Sequence, residues 1–310
     1  MHQLTKKQVN NLFDYEEFIP FLESFLCKEI TSPNRMHYSI PVSQSKNATL
    51  LSMPAWSVDE YIGVKIVNVF PDNQELPTIN GSYLLMSGRT GELLCIIDGL
   101  ALTQKRTAAV SALASHLLSP KEVTTFCMIG TGNLSHELIK AHHSVRSFSK
   151  VMIWGRNFDK AKSKADSLEL KGTEIRPIAD KAVGISQADI ISCATLSATP
   201  LIDGTMLKEN VYLDLVGSFK PESREADDHC VQNANIYVDT FKALEESGDL
   251  YIPLKKGLIS QQDIKSDLVT LCKMASTNQK PDDQKTFFKS VGFAAPDLAA
   301  ATYLYEKLNR

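Results

Sequence analysis

Apolar residues recur at helical spacing near the N-terminus. Val9, Leu12, Phe13, Phe18, Phe21, Leu22, Phe25 and Leu26 predict one amphipathic helix over residues 8–30. From 35 to 98 the pattern shortens to strand-like runs at 36–42, 48–56, 61–69, 82–87 and 93–98. Turn signals at Pro71-Asp72-Asn73 and Ser87-Gly88-Arg89-Thr90-Gly91 separate them. An alanine-rich helix at 103–118, opened by Thr103, ends at Ser119-Pro120-Lys121. Beyond it apolar runs at 123–129, 150–154, 174–177, 190–194, 211–216 and 236–238 alternate with amphipathic segments. That is the βαβ rhythm of a parallel sheet covered by helices. After Asp282 the pattern predicts a further helix, the run Phe287-Phe288-Lys289-Ser290-Val291-Gly292-Phe293, and a last helix at 296–308 whose apolar face packs back on the first domain. The fold class is therefore α/β in two domains. Residues 1–119, joined by 283–310, form one, and residues 120–282 form the other, built on the parallel sheet.

Composition narrows the classes of function. A chain of 310 residues with 43% apolar and 22% charged residues is ordinary for a globular protein and long enough for two domains. A net charge of −3 gives no electrostatic case for nucleic acid or an anionic membrane surface. No apolar run approaches the roughly 20 residues of a membrane span. The polar start Met1-His2-Gln3-Leu4-Thr5-Lys6-Lys7 has neither the apolar core nor the cleavage site of a signal peptide. Six scattered cysteines without a Cys-x-x-Cys pair read as free thiols in a reducing compartment, the cytoplasm, and supply no zinc-ligand spacing. His142-His143 reads as a solvated pair on the helix after the glycine loop.

Chemistry concentrates where the run 123–129 meets Gly130-Thr131-Gly132-Asn133-Leu134-Ser135. A strand, a glycine-tight turn and a helix N-terminus cradle a pyrophosphate, here over residues 130–134. Gly130 permits the turn, Gly132 admits the phosphates, and Ser135 replaces the third small residue of the pattern. The next strand ends at Trp154-Gly155-Arg156 with no acid to hold a ribose 2′-OH. A guanidinium at Arg156 suits a 2′-phosphate, so NADP(H) is preferred, with NAD(H) as the alternative. Asp159 is read as the cap of the following helix.

These segments resemble the ornithine cyclodeaminase/mu-crystallin family. So do Gly63-Val64-Lys65-Ile66-Val67-Asn68, Thr103-Gln104-Lys105-Arg106-Thr107-Ala108-Ala109, Val216-Gly217-Ser218-Phe219-Lys220-Pro221 and Lys289-Ser290-Val291-Gly292-Phe293-Ala294. The resemblance covers nearly the whole chain. It implies that residues 120–282 are a Rossmann dinucleotide-binding domain and that the first domain is a mixed α/β substrate-binding domain that also forms a homodimer interface. It implies that Arg35, Lys65 and Arg106 hold a substrate α-carboxylate, with Thr78 and Arg106 near the nicotinamide and Thr195 and Val291 lining the dinucleotide. Lys65 also interrupts an otherwise apolar strand.

One departure from the family discriminates between its reactions. Ornithine cyclodeaminases carry an aspartate where this chain has Phe219, and a phenyl ring cannot act as a base. The Gly-Ser-Phe-x-Pro form resembles the family's cyclic ketimine reductases, which act on Δ1-pyrroline-2-carboxylate and its six-membered homologue. The expected activity is NAD(P)H-dependent reduction of a cyclic imino acid to L-proline or L-pipecolate. Lys65 is the catalytic candidate, either as proton donor or as a fixed charge. A cyclodeaminase-type lyase, a linear amino-acid dehydrogenase and a mu-crystallin-like NADPH-binding protein are the alternatives.

Overall fold

A computed structural model of the chain describes residues 1–43, 45–232, 234–276 and 285–310. It divides into two compact units, Met1–Thr107 with Phe293–Arg310, and Ala108–Gly292. The division falls inside a helix, upstream of the break expected at 119/120. The break expected at 282/283 lies outside the described residues.

The first unit opens with β1 (His2–Leu4), α1 (Lys6–Leu12), α2 (Tyr15–Leu26), β2 (Ile30–Thr31) and β3 (Met36–Ile40). A meander follows of β4 (Ala48–Ser57), β5 (Tyr61–Val69), β6 (Ile79–Ser87) and β7 (Leu93–Asp98), leading into α3 (Gly99–Leu118). The single N-terminal helix expected over 8–30 is two helices. Asp14 adopts extended backbone and its Oδ1 accepts from Glu16 N at 2.8 Å, which starts α2 afresh. Helix α3 likewise begins earlier than expected. Asp98 Oδ1 accepts from Ala101 N at 2.8 Å, while Thr103 Oγ1 donates back to Gly99 O at 2.7 Å and caps nothing. The seven-stranded sheet runs β1-β7-β6-β5-β4-β2, with β3 also paired to β4. Strand β1 is parallel to β7, and the meander is antiparallel. Alternation along β5 and β6 buries Gly63, Lys65, Tyr83 and Leu85 on one face.

The second unit contains β8 (Thr125–Ile129), α4 (Ser135–Val145), β9 (Lys150–Trp154), α5 (Phe158–Asp166), β10 (Glu174–Pro177), α6 (Lys181–Gln187), β11 (Ile190–Cys193) and β12 (Tyr212–Leu215). It continues with α7 (Asp228–Gln232), β13 (Asn235–Val238), α8 (Ala243–Glu246), α9 (Gly248–Lys255), β14 (Ile264–Asp267), α10 (Leu268–Ser276) and β15 (Thr286–Lys289). Its eight strands are ordered β10-β9-β8-β11-β12-β15-β13-β14, all parallel. The order reverses between β8 and β11, the switch point at which doubly wound sheets bind ligands. The helix expected after Asp282 falls partly outside the described residues, and from Thr286 the chain is strand β15, inserted between β12 and β13. The last helix, α11 (Ala294–Leu308), belongs to the first unit and packs on α2, β4 and β5, as its apolar face predicts.

Candidate functional site

At the switch point of the second unit lies a cleft of about 320 Å³. Gly130, Thr131 and Gly132 line it from the end of β8, Trp154 to Asn157 from the end of β9, and Ala194 to Ser197 from the end of β11. Gly130 has φ +124°, a conformation that a side chain resists. A Cβ on Gly132 would meet no protein atom within 4 Å, so at that position the absent side chain leaves room for a ligand. The hydroxyl of Ser135 donates to Gly132 O at 2.8 Å and is fully buried, so the departure from the small-residue pattern braces the turn. Leu134 is the N-cap of α4 and makes no side-chain cap bond, while Ser135 N donates to Gly132 O at 3.3 Å. Asn133 is exposed in that turn. Neither it nor Leu134 is among the residues lining the cleft.

Arg156 is exposed on the rim of the cleft, and Lys160, which sequence reasoning missed, stands with it. None of the described residues lining the cleft is acidic. The expected cap of α5 needs correction. Asn157 Oδ1 accepts from Lys160 N at 2.9 Å, and Asp159 lies inside the first turn. His142 is also corrected. It is fully buried, with Nε2 3.3 Å from Asp214 Oδ2, which accepts from Ser192 Oγ at 2.6 Å as well. The spacing of α4 turns His142 onto the sheet, and only the half-buried His143 faces outward.

Two buried carboxylates hold the loops around this cleft. Glu225 accepts from Thr195 N at 2.6 Å, Thr195 Oγ1 at 2.9 Å, Gly217 N at 2.7 Å and Ser218 N at 3.1 Å, tying the ends of β11 and β12 together. Lys289 on β15 stands 3.7 Å from Glu225 and 3.2 Å from Asp249, all three fully buried. Burial pushes the Glu225 carboxyl up, against the pull of Lys289. Asp239 Oδ2 accepts from Ser290 Oγ, Val291 N and Gly292 N at 3.0, 3.0 and 2.6 Å, which fixes the turn carrying Val291. No local sequence signal marks these acids, because Thr195, which bonds Glu225, and the turn 290–292, which bonds Asp239, lie 30 and 51–53 residues away.

The first unit carries a separate charged cluster. Lys65 on β5 is 3% exposed and Arg106 on α3 is 5% exposed. The half-buried Arg35, between β2 and β3, adds a positive potential at Lys65. All three expected cations are therefore electrostatically linked. The structure adds an unforeseen partner: fully buried Asp297, in the first turn of α11, with Oδ2 2.7 Å from Lys65 Nζ and Oδ1 2.8 Å from Arg106 Nε. Its signal was an acid inside an alanine-rich apolar helix, the same kind of interruption that marked Lys65. Burial is the main cause that lowers the Lys65 amine to about 8, with Arg106 and Arg35 acting the same way and Asp297 opposing them. Lys105, next in sequence, turns its amine onto the rings of Phe13 and Tyr15. Thr78 is exposed in the connection between β5 and β6, where its carbonyl accepts from Phe70 N.

With this geometry established, comparison with known proteins is informative. Residues 4–310 match the family described as ornithine cyclodeaminase/mu-crystallin. A Delta(1)-pyrroline-2-carboxylate reductase of Colwellia psychrerythraea is 37% identical over 99% of both chains. Protein SAR DEFICIENT 4 of Arabidopsis thaliana is 40% identical over 96% of this chain and 94% of that one. Among solved structures, the Thermococcus litoralis Delta(1)-pyrroline-2-carboxylate reductase in complex with NADH and L-proline superposes with a TM-score of 0.89 at 29% identity, covering 100% of this chain and 98% of that one. A Rossmann sheet with its glycine turn and a mixed α/β unit carrying a cationic cluster thus coincide with an end-to-end match, and the chain belongs to the ornithine cyclodeaminase/mu-crystallin family.

Proposed function

We propose that the protein is an NAD(P)H-dependent reductase of cyclic α-imino acids, converting Δ1-pyrroline-2-carboxylate to L-proline and its six-membered homologue to L-pipecolate. The observation that favours this over the family's lyase chemistry is Phe219, 47% exposed where a cyclodeaminase needs an acid. Full-length relatives named for the same reduction support it.

Bound at the glycine turn, a reduced nicotinamide dinucleotide supplies the hydride. The chain's own residues do the rest. Arg106 and Arg35 hold the substrate carboxylate and so fix the ring's orientation. Lys65, charged at neutral pH, gives its proton to the ring nitrogen, which makes the adjacent carbon electrophilic. With that hydride supplied, the C=N bond would be reduced to C–N, the nitrogen keeping the lysine's proton, and Lys65 would regain a proton from solvent. Arg156 and Lys160 on the rim of a cleft with no acid among its described lining residues support NADPH as the preferred donor.

The sheet of the first unit supports a homodimer. Opposite the buried face, Pro54, Trp56, Val64, Leu84, Met86 and Ile96 are neighbours through the strand register and form a half-exposed apolar surface. The cysteines are scattered, with no Cys-x-x-Cys pair, which suits the cytoplasm.

The test is loss of reduced-nicotinamide absorbance with Δ1-pyrroline-2-carboxylate, run beside ornithine and beside pyruvate with ammonia. Turnover of the cyclic imine is expected, with Arg106→Ala raising KM at least about tenfold, as loss of a charged hydrogen bond implies. Ammonia release from ornithine without imine reduction would overturn the reading. For the cofactor, Arg156→Ala is expected to raise KM for NADPH about tenfold and leave that for NADH unchanged.

A further inference from the structure

Two cations thought to await a substrate anion already share one inside the protein. Building on the reading above, we propose that Asp297 is a positioning residue of the site: its two oxygens keep the Lys65 amine charged for proton donation and aim the outer edge of the Arg106 guanidinium at the substrate carboxylate.

The geometry carries this. Each oxygen of Asp297 takes a different cation, Oδ2 the Lys65 amine at 2.7 Å and Oδ1 the Nε of Arg106 at 2.8 Å. A carboxylate on Nε fixes the plane of the guanidinium and points its two Nη nitrogens away, the edge that takes a ligand carboxylate in bidentate fashion. The acid itself is held by three fixed elements: the first turn of α11, whose dipole favours a negative charge, and the two side chains from β5 and α3. Stability alone does not account for the arrangement. Replacing a buried ion triad by apolar residues is often neutral or stabilising, and α11 is otherwise rich in alanine. With one carboxylate between two buried cations the cluster is short of negative charge, and an anionic substrate supplies it.

The groups facing Lys65 determine the sign of the effect. Asp297 on α11 favours its charged form, whereas Arg106 on α3 and Arg35 between β2 and β3 oppose it. Tyr83, paired with Lys65 across β5 and β6, is buried and held neutral far above its ordinary range, so it contributes no charge. Burial lowers Lys65 to about 8, and the carboxylate keeps it from falling further. Without Asp297 the amine is expected to lose its proton at a lower pH.

The test reads Lys65 directly. The full-length protein is labelled at lysine Cε with carbon-13, the Lys65 resonance is assigned by its loss in Lys65→Met, and its titration is followed by NMR. Asp297→Asn is expected to lower the midpoint by at least about one pH unit, the shift expected on losing an opposite charge at this distance. In parallel, kcat/KM for the cyclic imine is expected to fall at least about fivefold at pH ~8, to recover towards the wild-type value as pH drops, and to regain its wild-type pH limb in Asp297→Glu. An unmoved midpoint, or an activity loss equal at every pH, overturns the proposal. If Asp297→Asn does not fold, Arg106→Gln substitutes for it. Removing that cation is expected to raise the midpoint, and an unchanged midpoint there overturns the electrostatic link. Because the NMR titration needs no turnover, a shifted midpoint in a protein inert towards cyclic imines would sink the reaction assignment and leave the role of Asp297 standing.

Discussion

At the scale of single residues, two glycines of the second unit separate ligand space from protein space. Gly132 would take a Cβ without meeting any protein atom within 4 Å, whereas a Cβ on Gly217 would lie 2.0 Å from Thr195 O and 2.2 Å from Thr195 N. Gly132→Ala is therefore expected to change stability by less than about 0.5 kcal/mol while raising the dinucleotide KM about tenfold or more, the loss of one good phosphate contact. Gly217→Ala must push the β11 and β12 loops apart and is expected to cost about 1–3 kcal/mol, the range for overpacking. Urea unfolding curves beside steady-state kinetics check both. If Gly132→Ala unfolds early and binds the nucleotide normally, the assignment of the cleft is wrong.

At the scale of elements, the C-terminus of α3 depends on one side chain from the end of α4. The Arg146 guanidinium donates to His116 O at 2.6 Å, Pro120 O at 3.1 Å and Ser119 O at 3.3 Å, carbonyls that the end of a helix leaves without partners. Arg146→Met keeps the length of the chain and loses these bonds. It is expected to lower stability by about 2–3 kcal/mol, given the usual worth of charged hydrogen bonds. The urea midpoint should fall with an unchanged slope, while kcat at saturating substrate stays at the wild-type value. An unchanged midpoint would mean that water replaces the arginine at no cost. The N-terminal region shows how such details escape an apolar count. Spacing alone makes 8–30 one helix, yet Asp14 offers a side-chain acceptor that restarts the helix at Tyr15.

At the scale of the whole molecule, the sheet of the first unit has two apolar faces. Helices of the same unit cover the face that carries Lys65. The other, with Val64, Leu84 and Ile96 adjacent across three strands, is apolar and half-exposed, and the proposed dimer would bury it. Leu84→Arg is expected to convert a dimer to a monomer in light scattering coupled to size-exclusion chromatography. A charge there strains a dry interface but is easily solvated on a free surface. A wild-type monomer at micromolar concentration would overturn this expectation.

Periodicity, glycine turns and isolated charges in apolar runs are local, and the sequence by itself therefore determined the α/β class, the short strands between 36 and 98, the strand within 123–129 that ends in a glycine turn, and the lysine that interrupts an apolar strand at 65. Strands β14 and β15 were not among the strands read from the sequence, since Ile264-Lys265-Ser266-Asp267 and Thr286-Phe287-Phe288-Lys289 each break a short apolar run with charged or polar residues. The partners of buried charges were decided only by the tertiary structure. Asp297 meets Lys65 across 232 residues of chain, and Glu225 meets the N–H groups of Thr195 and Gly217 once parallel strands bring their ends together. Ionic partnership follows distance in space and desolvation, and both exist only after the chain has packed.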